Sequence, residues 1–459
     1  MIARISDPLA IQKTPPVPPL LIRPLIPSLP AMTSQLPLAP NPTIDAPSYR
    51  FISYAAFFYA LLILYGSLFP FSDWTYPQLP LFTFLTTKPS LDRADLVQNV
   101  LVYAPLGLLL VLRLNRSMKF WSAVIIASAT GTLLSFAVES TQQFLPSRVA
   151  SISDLAMNFL GTFLGGIFAG FMSAETLTGR ALLNYRNQWV RPGALANMGI
   201  VVLALWVLSQ TTPLVPSLDV AHMRHGLALL KHEILYPDSF SYAKLATYSL
   251  YLLGLGLLTT TVVKRERPAL LVFMALVGFV LCCKVVIIDR QLAWEALLGA
   301  VIGVLLLLPL HYLSDRLKSI AGIALILAGF TVFELAPVAG GLSYQFNWIP
   351  FSGQMSSLSG LENILELLWP FMALAYFTRH TVPFYRHTEA AFFGGLAILA
   401  VIFFEEWYQQ FVPGRYGDVT QVMLGFTGWV LPWCVANKEG DEQEQVDRPK
   451  RRRRTRSLR

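Results

Sequence analysis

Six polar side chains are concentrated in one stretch of an otherwise apolar region, "FAVESTQQFLPSRVASISDLAMNFLGTFLGG" (136–166): Glu139, Gln142, Gln143, Arg148, Asp154 and Asn158. Carboxylates can take protons, and amides can read hydroxyls. A guanidinium held just after Pro146 can grip a phosphate or carboxylate through two parallel hydrogen bonds. Asp154, Asn158 and Gly161 fall at i, i+4 and i+7, so they share one helix face. Upstream, Asp95 and Asn99 repeat the spacing, with Tyr103 one turn further along. These spacings predict three helix faces delivering their polar groups to one pocket. The plainer reading makes Asp154 a helix N-cap and pairs Glu139 with Arg148 to close a hairpin.

The elements that must position these groups are membrane helices. The chain has 459 residues, of which 54% are hydrophobic and 14% charged. Soluble domains carry about 25% charged residues. Mean hydropathy is +0.53. Repeated apolar stretches of roughly 18–22 residues match the ~30 Å hydrocarbon core of a bilayer. They begin near 51, 97, 120 and 154, then near 194, 244, 269 and 292, and again near 320, 362, 390 and 418. The expected fold is therefore an all-α polytopic membrane protein of about 12 transmembrane helices, arranged as three four-helix modules at 51–172, 194–310 and 320–436. Residues 1–50 contain twelve prolines and no helical period, a composition that favours extended or disordered chain. They also lack a continuous apolar core followed by a cleavage site, so no cleaved signal peptide is expected. Residues 437–459 form a basic tail.

A repeat supports the modular reading. "ESTQQFLPSR" (139–148) matches "EWYQQFVPGR" (406–415) at an offset of 267, with Glu, Gln, Gln, Phe, Pro and Arg coinciding. Allowing a three-residue deletion, Asp154 aligns with Asp418 and Gly161 with Gly425. A second set of candidates follows: Glu406, Gln409, Gln410, Arg415 and Asp418, with Glu362 and Glu366 in the place of Asp95. The middle module keeps only the outline of the pattern in "KVVIIDRQLAWEALLGAVIG".

Charge sets an expected orientation. Alternate connections hold 13 Lys and Arg in 52 residues, and the other set holds 8 in 120. Basic loops favour the cytoplasm, which puts both termini inside a cytoplasmic (inner) membrane and the polar hairpins at its outer face. Topology also explains the net charge of +8 better than nucleic-acid binding does. His222, His225 and His232 share one loop with Asp219 and Glu233, but in no compact ligand spacing, so neither a metal nor a cofactor is expected. Cys282, Cys283 and Cys434 form no redox motif, and no phosphate-binding loop, dinucleotide fingerprint or nucleophile elbow is present.

"DLVQNVLVYAPLG" together with "ESTQQFLPSRVASISDLAMNFLGTFLGG" resembles the VanZ-like family, a small four-span membrane domain with an Asn…Pro-Leu-Gly helix and a Glu…Gln…Arg…Asp…Asn…Gly hairpin. The resemblance covers about 51–172 well and about 320–436 with departures, Asn158 becoming Val422. It implies an envelope membrane protein, and the family's founding members are associated with reduced sensitivity to the glycopeptide teicoplanin. The expected partners are membrane lipids and a lipid-linked saccharide or lipopeptide, bound at the polar pockets. The alternatives are an enzyme acting on a lipid-linked substrate, with Glu139 or Asp95 as general base, and a transporter. Transport ranks lower because four-span modules keep one orientation and form no inverted repeat.

Overall fold

The computed structural model describes residues 49–69, 71, 73–77, 80–86, 93–172, 176–338, 345–351 and 358–435. The Pro-rich segment and the basic tail expected from sequence lie outside the described residues. Among those residues the fold is all helical. The first set of long helices is α1 (Tyr49–Leu68), α2 (Arg93–Leu114), α3 (Phe120–Gln142) and α4 (Ile152–Phe171), followed by α5 (Leu177–Trp189). Next come α6 (Ala194–Thr211), the short α7 (Val220–Gly226) and α8 (Ala228–Leu235), then α9 (Tyr242–Val262), α10 (Ala269–Val286) and α11 (Trp294–Leu310). The third set is α12 (Asp315–Leu335), α13 (Leu358–Thr381), α14 (His387–Gln409) and α15 (Val419–Val435).

Each apolar segment lies on a helix, because a chain in lipid must satisfy its backbone polar groups internally. The sequence reading missed α5, α7 and α8, which occupy polar connections. Side-chain caps mark several starts: Ser151 Oγ accepts from the Ser153 amide, Thr176 caps α5, and Ser241 and Ser314 cap α9 and α12. Eight helices are long and apolar enough to cross a membrane, and two further apolar helices, Ile52–Leu68 and Trp294–Leu310, are shorter. The chain is a multi-pass membrane protein.

In each set the second helix packs most extensively against the fourth: α2 on α4, α9 on α11, and α13 on α15. Glycine permits the closest approach. A Cβ on Gly165 would run into the Ala104 carbonyl, one on Gly161 into the Val100 carbonyl, and one on Gly107 into the Thr162 carbonyl. Gly107 therefore serves helix contact, the packing role of small residues in membranes.

The three sets do not share one core equally. The largest buried cluster spans α6 and α9 to α15, with Leu255, Phe273, Leu307, Ile326, Phe330, Phe371 and Tyr376 at its centre. Here α12 packs on α9 while α6 packs on α13, a reciprocal exchange that fuses the second and third sets. The first set keeps two small clusters of its own, around Val111, Val124 and Ala127 and around Ile63, Tyr103 and Leu106. Tyr65 reaches across to the third set, donating to the Pro350 carbonyl at 2.7 Å and meeting the Phe351 ring.

Substituting Gly165→Ala should destabilise the protein by about 1–3 kcal/mol, the cost of overpacking a tight contact. Gly278 faces open space on α10, so Gly278→Ala should leave the melting temperature in detergent unchanged or slightly raised. Thermal unfolding followed by tryptophan fluorescence checks both.

Candidate functional site

The connection between α3 and α4 is organised by Arg148. Its Nε donates to the Phe69 carbonyl at 3.2 Å and its Nη2 to the Gly66 carbonyl at 2.9 Å. The guanidinium thus satisfies two carbonyls, three residues apart, at the end of α1, where a helix has no partners of its own for them. Glu139 is not its partner, contrary to the hairpin ion pair that the sequence allowed. Arg415 repeats the contact at the same offset of 267, donating to Ala336 at 3.0 Å and Phe333 at 2.5 Å at the end of α12. The middle set has it too: Arg290 donates from Nε to Thr212 at 2.7 Å and from Nη2 to Ser209 at 3.2 Å. Sequence comparison missed Arg290 because neither the Pro-x-Arg nor the Glu-x-x-Gln-Gln precedes it. Arg148 is therefore committed to backbone, and Arg415 to backbone and to Glu334 at 4.0 Å; burial pushes the Arg148 guanidinium below its ordinary pKa, against the expectation that they grip an anionic ligand.

The remaining polar groups of the first set do converge. Glu139, 3% exposed, accepts from the Ser151 amide at 2.8 Å and faces Asp154. Asp154, in the first turn of α4, faces Asp95 and the Asn99 amide of α2. Buried Tyr103 points at Ser135 and Glu139 without closing a hydrogen bond of ordinary geometry. Asn158 Nδ2 donates to Ser135 Oγ at 2.8 Å, while its buried Oδ1 has no partner among the described residues. Asp95 is exposed and marks the open side of the cluster. None of the three carboxylates is ion-paired with a described residue. Such a cluster, set between apolar helices, favours a cation or a hydrogen-bond donor.

Two candidates leave the site. Gln142 Nε2 donates to the Ser67 carbonyl at 2.8 Å; Gln143 Oε1 accepts from the Phe82 amide at 2.7 Å, and its Nε2 donates to Ser140 at 3.2 Å. Both glutamines tie the hairpin to α1 and to the α1–α2 connection.

The third set differs from its sequence alignment. Glu406 accepts from the Asp418 amide at 2.9 Å, as Glu139 does from Ser151. Asp418 thus occupies the position of Ser151, not of Asp154, at the unbroken offset of 267. Its Oδ1 caps α15 by accepting from the Thr420 amide at 2.8 Å and the Thr420 hydroxyl at 2.6 Å. With no deletion, Gln421 stands at the Asp154 position and Gly425 at the Asn158 position, so the acidic triad is not reproduced. Gln409 bridges Glu334 at 2.7 Å and Glu406 at 3.2 Å, while the buried Gln410 Nε2 has no partner among the described residues. Glu362 does not join Glu406; it pairs with Arg290 of the middle set at 2.6 Å. Glu366 likewise faces Arg290 and Lys284. The contact of α6 on α13 turns these acids toward the middle set.

No group of three metal-ligating side chains is assembled among the described residues. In the histidine-bearing loop, buried Glu233 turns inward and accepts from the Trp294 amide at 2.9 Å. It supplies from α8 the carboxylate cap that Glu139 and Glu406 supply from the third helix of their own sets. Burial raises its pKa, and nearby Glu295 adds to the effect.

Replacing Arg148 by Lys should lower stability by about 1–3 kcal/mol, the cost of an unsatisfied buried acceptor, because an ammonium cannot fork between two carbonyls. An unchanged melting temperature for Arg148→Lys would count against the backbone role.

No curated protein and no solved structure matches the chain. Residues 51–173 match the VanZ/LLP1 family model, a span that contains the Arg148 contact and the whole acidic cluster. Over residues 51–173 this multi-pass membrane protein is thus similar to the VanZ/LLP1 family.

Proposed function

We propose that the VanZ-like domain binds the polar headgroup of an amphipathic envelope ligand, a lipid-linked saccharide or lipopeptide, through hydroxyl or amine donors. The observation that carries this reading is the meeting of Asp95, Glu139 and Asp154 from three helices without an ion pair, beside the unpartnered Asn158 Oδ1. The acids favour a donor-rich headgroup over an anion, and the engagement of Arg148 with backbone argues the same way. An apolar tail can lie along the helices while the headgroup enters beside exposed Asp95. The site is a binding site in this proposal.

The same reading places the domain in a cytoplasmic (inner) membrane, with twelve spans in three modules, both termini inside and the acidic cluster at the outer face. The distribution of Lys and Arg supports this orientation. The recurrence of the arginine contact in all three sets supports the modules.

Crosslinking of a photoactivatable lipid-linked disaccharide to the purified protein should fall at least tenfold in Asp154→Asn and in Asp95→Asn; undiminished yield in both would overturn the site. For topology, single cysteines at Ser147 and Tyr416 in a cysteine-free background should react with an impermeant maleimide on intact cells, and one at Ser117 should not. Labelling of Ser117 alone would invert the orientation.

A further inference from the structure

A cavity of about 170 Å³ lies between the second and third helix sets, away from the VanZ-like domain. A single water needs only about 10–15 Å³ measured in this way. Its wall is built from helix ends that meet on one side of the bundle: the end of α6, the start of α9, the ends of α10 and α12, and the first half of α13.

The wall carries both charges. Lys284 at the end of α10 and Lys244 at the start of α9 line it. Lys284 is 5% exposed, lies 5.7 Å above the Tyr248 ring, and makes neither an ion pair nor a hydrogen bond with a described residue. Burying an ammonium without a partner is costly, so its retention points to a complementary anion in the cavity. Arg290 beside it is fully engaged by Ser209, Thr212 and Glu362. Glu366 of α13 also lines the cavity and makes no hydrogen bond or ion pair with a described residue, although Lys284 and Arg290 share its surroundings. Next to it Tyr251 and Trp369 meet edge to face at 4.7 Å, offering aromatic faces to a cation. Glu334, the other acid of the wall, is held by Gln409.

A spare ammonium, a spare carboxylate and two aromatic rings lining one cavity complement a ligand carrying both charges. We propose that this cavity binds a zwitterionic group composed of a phosphate and a primary ammonium, the chemistry of phosphoethanolamine. The phosphate oxygens accept from Lys284, with Lys244 at the mouth, and the ammonium donates to Glu366 against Tyr251 and Trp369. Such a group reaches the cavity either as a lipid headgroup or as a free phosphoamine. This site is independent of the acidic cluster around Asp154.

The test is titration of the full chain in detergent with O-phosphoethanolamine and with ethyl phosphate, which lacks the amine, together with native mass spectrometry from nanodiscs containing phosphatidylethanolamine or phosphatidylglycerol. O-phosphoethanolamine, phosphatidylethanolamine or both should bind. Lys284→Met should weaken that binding at least tenfold, and Glu366→Gln should abolish the preference for the amine-bearing form of each pair. Competition by the soluble compound identifies a free ligand; retention of the lipid without competition identifies a headgroup. Asp95→Asn and Asp154→Asn should leave this binding intact, which separates its failure from failure of the acidic site. Size-exclusion profiles report folding, and where Lys284→Met misfolds, Glu366→Gln alone decides. Absence of binding in both forms, equal binding of ethyl phosphate, or binding undisturbed by the folded variants overturns the proposal.

Discussion

A helix that ends at a bilayer leaves its last carbonyls without partners, and in an apolar setting each such group is expensive. This protein answers with forked arginines. Arg148, Arg290 and Arg415 each bridge two carbonyls three residues apart at the end of α1, α6 and α12. Arg191 does the same for Thr260 and Val263 at the end of α9, while its Nη1 meets Asp315 at 2.8 Å. Only a planar guanidinium presents two donors in that geometry. Each of the first three contacts fixes the hairpin between the third and fourth helices of a set against its first helix. The positions of Glu139 and Asp154 follow from it, since they flank Arg148 in the chain.

The second constraint is close helix approach. Gly107, Gly161 and Gly165 let the backbones of α2 and α4 touch, bringing Asp95 and Asn99 within reach of Asp154. A bulkier residue at any of the three would hold the helices apart and admit lipid between them. Packing thus produces the electrostatics: acids that would be separate and solvated on isolated helices become one unpaired cluster when the helices close.

The fused pair of sets makes similar helix-end contacts with a different arrangement of acids. Arg415 and Glu406 make contacts like those of Arg148 and Glu139, but no matching acidic triad is assembled among the described residues. In its place α6 covers α13 and draws Glu362 and Glu366 toward Arg290 and Lys284. Polar groups that in the first set face one another within a set here face across two sets, and a cavity opens between them. The start of α11 also has a carboxylate acceptor, supplied by Glu233 from α8.

Local pattern in the sequence determined the membrane character, the position of each long helix and the shared helix faces of Asp95 with Asn99 and of Asp154 with Asn158, because apolar length and i, i+4 spacing are properties of a helix by itself. The repeat of 267 residues was also legible, as a run of identical side chains. What tertiary structure alone decided was partnership. Arg148 turned to backbone carbonyls 79 and 82 residues away, and no spacing rule encodes which distant helix end needs a donor. Asp418 proved to stand at the Ser151 position because a shared amide-to-carboxylate bond, and not residue identity, defines that place. Arg290, Lys284 and Glu366 became visible as a group only when α6, α9, α10, α12 and α13 met, since contacts between helix sets depend on how whole faces pack.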